Sequence, residues 1–177
     1  MVPEVNMAFA SDDEKPWKTD LARKSSERRE QVVRDVEELV KKAASFEESL
    51  RVAVETLKKK FARYSAITVY VADGEGLAVH TSLERPPGPE RLKADKGPLA
   101  DAAHGQGPTV ISELSGSASW TEIGLSSGSV VVAPVRTEAG LWAILEVWSN
   151  FRDAFSPQDV RLLGRVAAAL AKKTPAA

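Results

Sequence analysis

The chain contains no cysteine. That absence removes disulfides, thiolate metal sites and cysteine nucleophiles together, and with them thioether attachment of a bilin or haem. Long apolar runs are also missing: none approaches the ~20 residues needed to span a bilayer. Charge of one sign is not in excess, since 24 Lys and Arg face 25 Asp and Glu, so no broad basic field for nucleic acid is expected. The first residues, MVPEVNMAFASDDEKPW, lack a basic region, and Asn6, Ser11, Asp12 and Asp13 break their apolar pieces, which excludes a signal peptide. These absences point to a cytoplasmic globular protein with neither a membrane nor a nucleic-acid partner. Paired carboxylates, a phosphate loop, a nucleophile elbow and a metal-ligand cluster are likewise missing, so no enzymatic centre is expected and no cofactor is indicated.

What is present fits one domain with an extension, within 177 residues. Residues 1–18 have apolar residues without any period and read as a disordered lead. From Thr19 to about Tyr64 the pattern is helical. Val32, Val36, Leu39, Ala43, Phe46, Leu50, Val54, Leu57 and Phe61 recur at steps of three and four, which makes one apolar stripe. Ser45 stands three residues before Glu48, the spacing of a capping box, and the stripe changes phase after Leu50. Residues 19–64 are therefore either two helices, about 25–43 and 45–62, or one bent helix. A narrow stripe with charged flanks over residues 19–44 suits a partner helix, most simply from a second copy of the chain; the alternative is a helix folded back on its own domain.

Strands follow. ITVYVAD (67–73) is β-branched, DGEG is turn chemistry, and LAVHTSL completes a hairpin. RPPGPE (85–90) cannot be regular, because proline fixes the backbone and lacks a donor. Gly97–Gly105 (GPLADAAHG) suits a short helix, with Pro98 in its first turn and Gly105 past its end. TVISEL (109–114) is a third strand, and SGSASWTEIGLSSG (115–128) is a polar loop holding Trp120. Ser129–Arg136 is an apolar strand buried on both faces, with Pro134 marking an edge or bulge. After the turn TEAG, Leu141–Trp148 alternates Leu141, Ala143, Leu145 and Val147 with Trp142, Ile144, Glu146 and Trp148. Ser156, Pro157 and Asp159 then open a last helix with a cap, a first-position proline and a returning carboxylate. Residues 173–177 read as a tail. The order implies an α+β three-layer α/β/α sandwich with a central antiparallel sheet of about five strands and an N-terminal helical extension. Helices would cover one face, and residues 85–128 the other.

On YVADGEGLAVH, on GPLADAAHG before TVISEL, and on SVVVAPVRTEAGLWAILEVWSNFRDAFSPQD, the chain resembles a GAF domain over residues 45–172. The resemblance implies a sensory or regulatory module that binds a small molecule between sheet and middle segment, or that dimerises to relay a signal. It implies a homodimer through the N-terminal and C-terminal helices and a signalling partner protein acting in trans. The Asn-Lys…Phe…Asp-Glu signature of cyclic-nucleotide members is absent, and only His80 and His104 could serve a haem. The catalytic relative resembled, free methionine-R-sulfoxide reductase, needs thiols and carries acidic residues in its back strands. The matching positions here are Val130, Glu146 and Trp148.

The candidate ligand-binding residues are accordingly Glu146, Trp142, Trp148, Trp120, Val130 and Asp101. A carboxylate on an apolar strand is costly unless paired, so Glu146 either meets a cationic or donor-bearing ligand between Trp142 and Trp148, or pairs with Arg136, or is exposed at the strand end. Trp120 lines a pocket or plugs the core, and Asp101 faces the cleft or solvent. His104 suits a helix C-terminus, His80 suits the surface, and Lys58-Lys59-Lys60 suits a solvated helix face.

Overall fold

The computed structural model describes residues 16–85 and 88–174. The expected disordered lead falls outside them as far as residue 15; its last three residues open a helix. Residues 175–177 of the expected tail also lie outside the described residues.

Eleven elements follow in order: α1 (Pro16–Lys42), α2 (Phe46–Lys60), β1 (Ala66–Ala72), β2 (Leu77–Leu83), β3 (Arg91–Leu92), α3 (Pro98–Ala103), β4 (Thr109–Ile111), α4 (Ala118–Glu122), β5 (Ser129–Thr137), β6 (Gly140–Ser149) and α5 (Pro157–Ala171). The six strands form one antiparallel sheet in the order β3-β2-β1-β6-β5-β4. The strand beyond the five expected is the two-residue edge β3, too short to leave a sequence period. Among the described residues no helix is long and apolar enough to cross a membrane.

The helical region resolves into two helices at the joint the cap marks. Ser45 Oγ accepts from the Glu48 amide at 3.1 Å, while Glu48 reaches past the cap to accept from the Ala44 amide at 2.7 Å. Ser45→Ala should lower stability by about 1 kcal/mol, the usual cost of losing an N-cap, read as a lower urea midpoint at unchanged slope.

α1, α2 and α5 form one layer. Val32, Val33, Val36 and Val40 of α1 are buried with α2 and α5 residues in one core cluster, so most of the stripe that suggests a partner helix is covered within the chain, while Leu39 stays 40 % exposed. Arg165 of α5 pairs with Glu30 and Glu37 of α1 at 2.7 and 3.2 Å, and Lys173 donates to the Ala43 carbonyl at 2.9 Å. These contacts set α1 and α5 parallel. From Lys18 to Gln31, by contrast, α1 has no buried residue; ion pairs such as Asp20–Arg23 and Arg23–Glu27, each 2.6 Å, stiffen those turns.

The sheet separates two cores. Ile67, Val69, Val131, Ala133, Leu145 and Val147 face the helix layer. Tyr70, Leu77, Val130, Val132 and Ile144 face the middle segment, where they join Leu99, Leu114, Trp120, Ile123 and Leu125. Pro134 lies past the end of β4, whose last partner on β5 is Val132, so its missing N–H breaks no ladder on that side.

Two register shifts redirect side chains. In β5–β6 the pairs pass from Val135↔Ala143 to Arg136↔Leu141, leaving Trp142 as the extra residue. The bulge breaks the alternation: Trp142 turns to the helix layer and meets Phe46 edge-on with ring centroids 4.0 Å apart. In β1–β2, His80 is the unpaired residue and is exposed. Gly128 enters β5 at φ +85, where an added Cβ would lie 1.9 Å from the Ser149 carbonyl oxygen. Only glycine fits that left-handed, backbone-contacting position.

Candidate functional site

The middle-segment face of the sheet holds one buried carboxylate. β6 carries Glu146 opposite Thr68 of β1 and Val132 of β5, and Glu146 is 1 % exposed. Its charge is met from the proline-rich stretch and not from the neighbouring strand. Arg85 Nε stands 3.6 Å from Glu146 Oε1, with the Arg85 side chain 7 % exposed. That separation is an ion pair and too long for a hydrogen bond. Arg136, the partner considered from sequence, instead donates to the carbonyls of Ala103 and Gly105 at the end of α3. Once α3 packs on β5, its unpaired terminal carbonyls draw that guanidinium away.

Arg85 is held from three sides. It pairs with Glu146, its Nη2 donates to the Ile123 carbonyl at 2.7 Å, and its guanidinium carbon lies 5.6 Å from the Tyr70 ring centroid. Gly88 packs against the same place: a Cβ there would sit 2.4 Å from the Ile123 oxygen and 2.5 Å from Arg85 Nη1. Two buried polar atoms beside this cation have no hydrogen-bond partner, Glu146 Oε2 and the Tyr70 hydroxyl. Burial pushes the Glu146 carboxyl up to about 7, with the Arg85 charge opposing the rise. Burial, and then the Glu146 charge, also push the Tyr70 hydroxyl upward against Arg85. Thr68 is satisfied separately, its hydroxyl 3.0 Å from that of Ser82.

Four of the six residues singled out from sequence share this face. Val130 is fully buried there. Trp148, the cross-strand partner of Val130, is half-buried and donates from Nε1 to the Ser127 carbonyl at 2.8 Å. Trp120 is 6 % exposed, and it sits in the short helix α4 and not in an irregular loop. Glu146 completes the set. The other two are elsewhere: Trp142 is on the opposite face through the bulge, and Asp101 is exposed on the outer side of α3. α3 buries Leu99, Ala100, Ala102 and Ala103, so Asp101 is left for solvent.

Sequence reasoning missed Arg85 and Tyr70. Tyr70 was hidden inside a strand whose β propensity explained it. Arg85 carried a usable signal, because a carboxylate on a buried strand demands a cation and Arg85 begins the irregular stretch nearest the sheet.

A cleft of about 310 Å³ opens on the same side, between the stretch after β3, α3 and the end of α4. Ile123 belongs both to this cleft and to the hydrogen bond of Arg85. Lys93, Lys96 and Glu122 are its charged lining residues. Among the described residues no group of three His, Cys, Asp or Glu is placed to hold a metal ion. The face can therefore offer one buried acceptor, one buried hydroxyl and apolar and indole neighbours, with Arg85 set against them. It meets the cleft at Ile123, and Glu146, Tyr70 and Arg85 are not among the residues lining the cleft itself.

Known proteins share this fold. The sequence profile described as a GAF domain matches residues 43–172. Among solved structures, the free methionine-R-sulfoxide reductase of Neisseria meningitidis, in complex with its substrate, is 19 % identical, with a TM-score of 0.75 over 84 % of this chain and 89 % of that one. The GAF domain of a phosphoenolpyruvate-protein phosphotransferase from Coxiella burnetii is 16 % identical, with a TM-score of 0.73 over 84 % and 93 %. A type II free methionine-R-sulfoxide reductase from Thermoplasma acidophilum is 18 % identical, with a TM-score of 0.64 over 77 % and 93 %. At these identities the likeness is one of fold. No curated protein matches the chain in sequence.

Proposed function

The chain belongs to the GAF domain family, and from that premise we propose that it is a non-enzymatic sensory module whose chamber, under residues 88–128, takes a small molecule. The observation that carries this reading is the under-satisfied polar cluster inside an apolar core, Glu146 Oε2 and the Tyr70 hydroxyl. Buried polar atoms are normally paired, and a pair left open beside a cleft is the usual mark of a place for a ligand. Thiol chemistry of the reductase kind has no residue to run on, since the chain has no cysteine.

Signal transfer would follow from β6. Glu146 faces the chamber while its neighbours Leu145 and Val147 pack with the helix layer, so a shift at Glu146 displaces what α5 and α2 rest on. A partner protein would read that helix layer. Pairing of two copies, if it uses α1, falls to the turns before Val32, where Leu21 is 58 % exposed.

Native mass spectrometry of protein purified from its own host tests the reading, because it reports retained ligand and oligomer mass together. The expected result is a noncovalent adduct on the wild type that is lost in Glu146→Gln. A bare mass, together with no thermal shift across a metabolite set, would reject it. A specific observation supports a second reading in that case, a ligand-free scaffold: Trp120, Ile123 and Leu125 already close the core on this face.

A further inference from the structure

Arg85 behaves as an internal occupant of the chamber. Its guanidinium meets a buried carboxylate, an aromatic face and a backbone carbonyl. These are the three kinds of contact by which a site recognises a planar cation. Yet the fit is poor where it matters most. A carboxylate and a guanidinium can form two parallel hydrogen bonds near 2.8 Å, whereas here the Nε–Oε1 separation is 3.6 Å and Oε2 has no partner. The Tyr70 hydroxyl beside them is also left open. The chain thus supplies the acceptors of a fork-shaped cation without satisfying them.

From this mismatch we infer that the chamber binds a small guanidinium-bearing molecule, which takes Glu146 in bidentate fashion and displaces the Arg85 side chain. The inference rests on the reading that this face takes a small molecule, and it names the ligand's chemistry. Guanidinium suits the site better than ammonium, because its planar fork matches both carboxylate oxygens while its faces stay weakly hydrated. Lys93 and Lys96 at the cleft add a second element. They favour a molecule whose other end is acidic, so a guanidino acid is expected to bind more tightly than the bare cation. The guanidinium then takes Glu146, the acid takes Lys93 and Lys96, and Arg85 is released; Glu122 is the acidic residue among those lining the cleft.

The tethered Arg85 competes at an effective concentration of roughly millimolar. The wild type should therefore bind weakly, and a variant without the tethered cation more tightly. Arg85→Ala and Arg85→Met, the second keeping most of the apolar volume, would be titrated by calorimetry and thermal shift with methylguanidine, 4-guanidinobutyrate and butyrate. Both variants should bind methylguanidine at least roughly tenfold more tightly than the wild type. 4-Guanidinobutyrate should bind more tightly still, and butyrate should not bind. Adding Glu146→Gln to Arg85→Met should abolish the effect. If Arg85→Ala does not fold, Arg85→Met and the wild-type titration carry the test. Equal weak binding to wild type, variant and double variant would overturn the inference, as would tighter binding of butyrate than of methylguanidine. A wild type that retains a different, non-guanidinium adduct in the native spectrum would defeat the inference and leave the sensory reading standing.

Discussion

Asp159→Ala should cost about 3–5 kcal/mol, the amount typical of removing one partner from a buried charge network. Asp159 is fully buried at the start of α5. Its Oδ2 accepts from the Ser156 amide and hydroxyl at 2.8 and 2.6 Å, closing the capping box. Its Oδ1 accepts from Arg29 Nε at 3.0 Å, from the Tyr64 hydroxyl at 3.1 Å, and from Arg63. One carboxylate therefore ties α1, the connection after α2 and the cap of α5. Alanine would leave two guanidinium groups and a buried phenol without their acceptor, and would take away the cap as well.

Burial raises the Asp159 carboxyl, but donation from Ser156 and Arg29 and the charge of Arg63 outweigh it and hold the group below its ordinary value. For a carboxyl lowered in the folded state, the stability it contributes is complete above the ordinary value of 3.8 and is lost as pH falls below that through the lowered one. The gap between wild type and Asp159→Ala in urea midpoint should therefore be widest near neutral pH and close in acid. Hydrogen exchange gives a second readout, since the α1 amides near Arg29 should lose protection first. A neutral-pH loss under ~1 kcal/mol, the size of a cap alone, would show that the three-way tie contributes nothing.

Glu146→Gln is expected to do the opposite and stabilise the protein at neutral and alkaline pH, by up to roughly 3 kcal/mol. Glu146 rises from 4.5 to about 7 on folding, and each tenfold change in proton affinity is worth ~1.4 kcal/mol. A carboxyl raised in the folded state favours folding most when it is protonated. Its cost therefore grows as pH climbs from 4.5 toward 7, and stays constant above. Glutamine keeps the shape without the charge, so the variant should match the wild type below about pH 4.5 and exceed it increasingly toward pH 7. Breaking a buried ion pair usually destabilises. Here the pair is long and half-satisfied, so desolvation of the carboxylate outweighs the attraction to Arg85. A wild type more stable than Glu146→Gln at pH 8 would mean that Arg85 compensates the charge fully, and it would remove the mismatch on which guanidinium binding rests.

These two carboxylates differ in how far sequence could reach them. Asp159 was legible as a cap, because Ser156, Pro157 and Asp159 are adjacent in the chain and capping is local. Its bonds to Arg29 and Arg63 were not, since they join residues 130 and 96 positions apart. Glu146 was legible as a buried acid that needed an explanation, because the strand around it is apolar. Its partner was not. Strand neighbours suggested Arg136, whereas the fold brings Arg85 over the sheet and gives Arg136 to α3.

Local chemistry in the sequence by itself determined the order of the longer elements, the cap at Ser45, the capped last helix, the antiparallel α+β class, and the exclusion of thiol chemistry. Each depends on residues within a turn or a strand of one another, or on a residue type being absent. Tertiary structure alone decided that α1 covers its own domain, because burial of Val32, Val36 and Val40 depends on where α2 and α5 lie. It alone placed Trp142 away from Glu146, since strict alternation holds only without a bulge, and the bulge arises from pairing with β5. It alone set Arg85 against Glu146, because irregular proline-rich chain has no period from which its direction could be read.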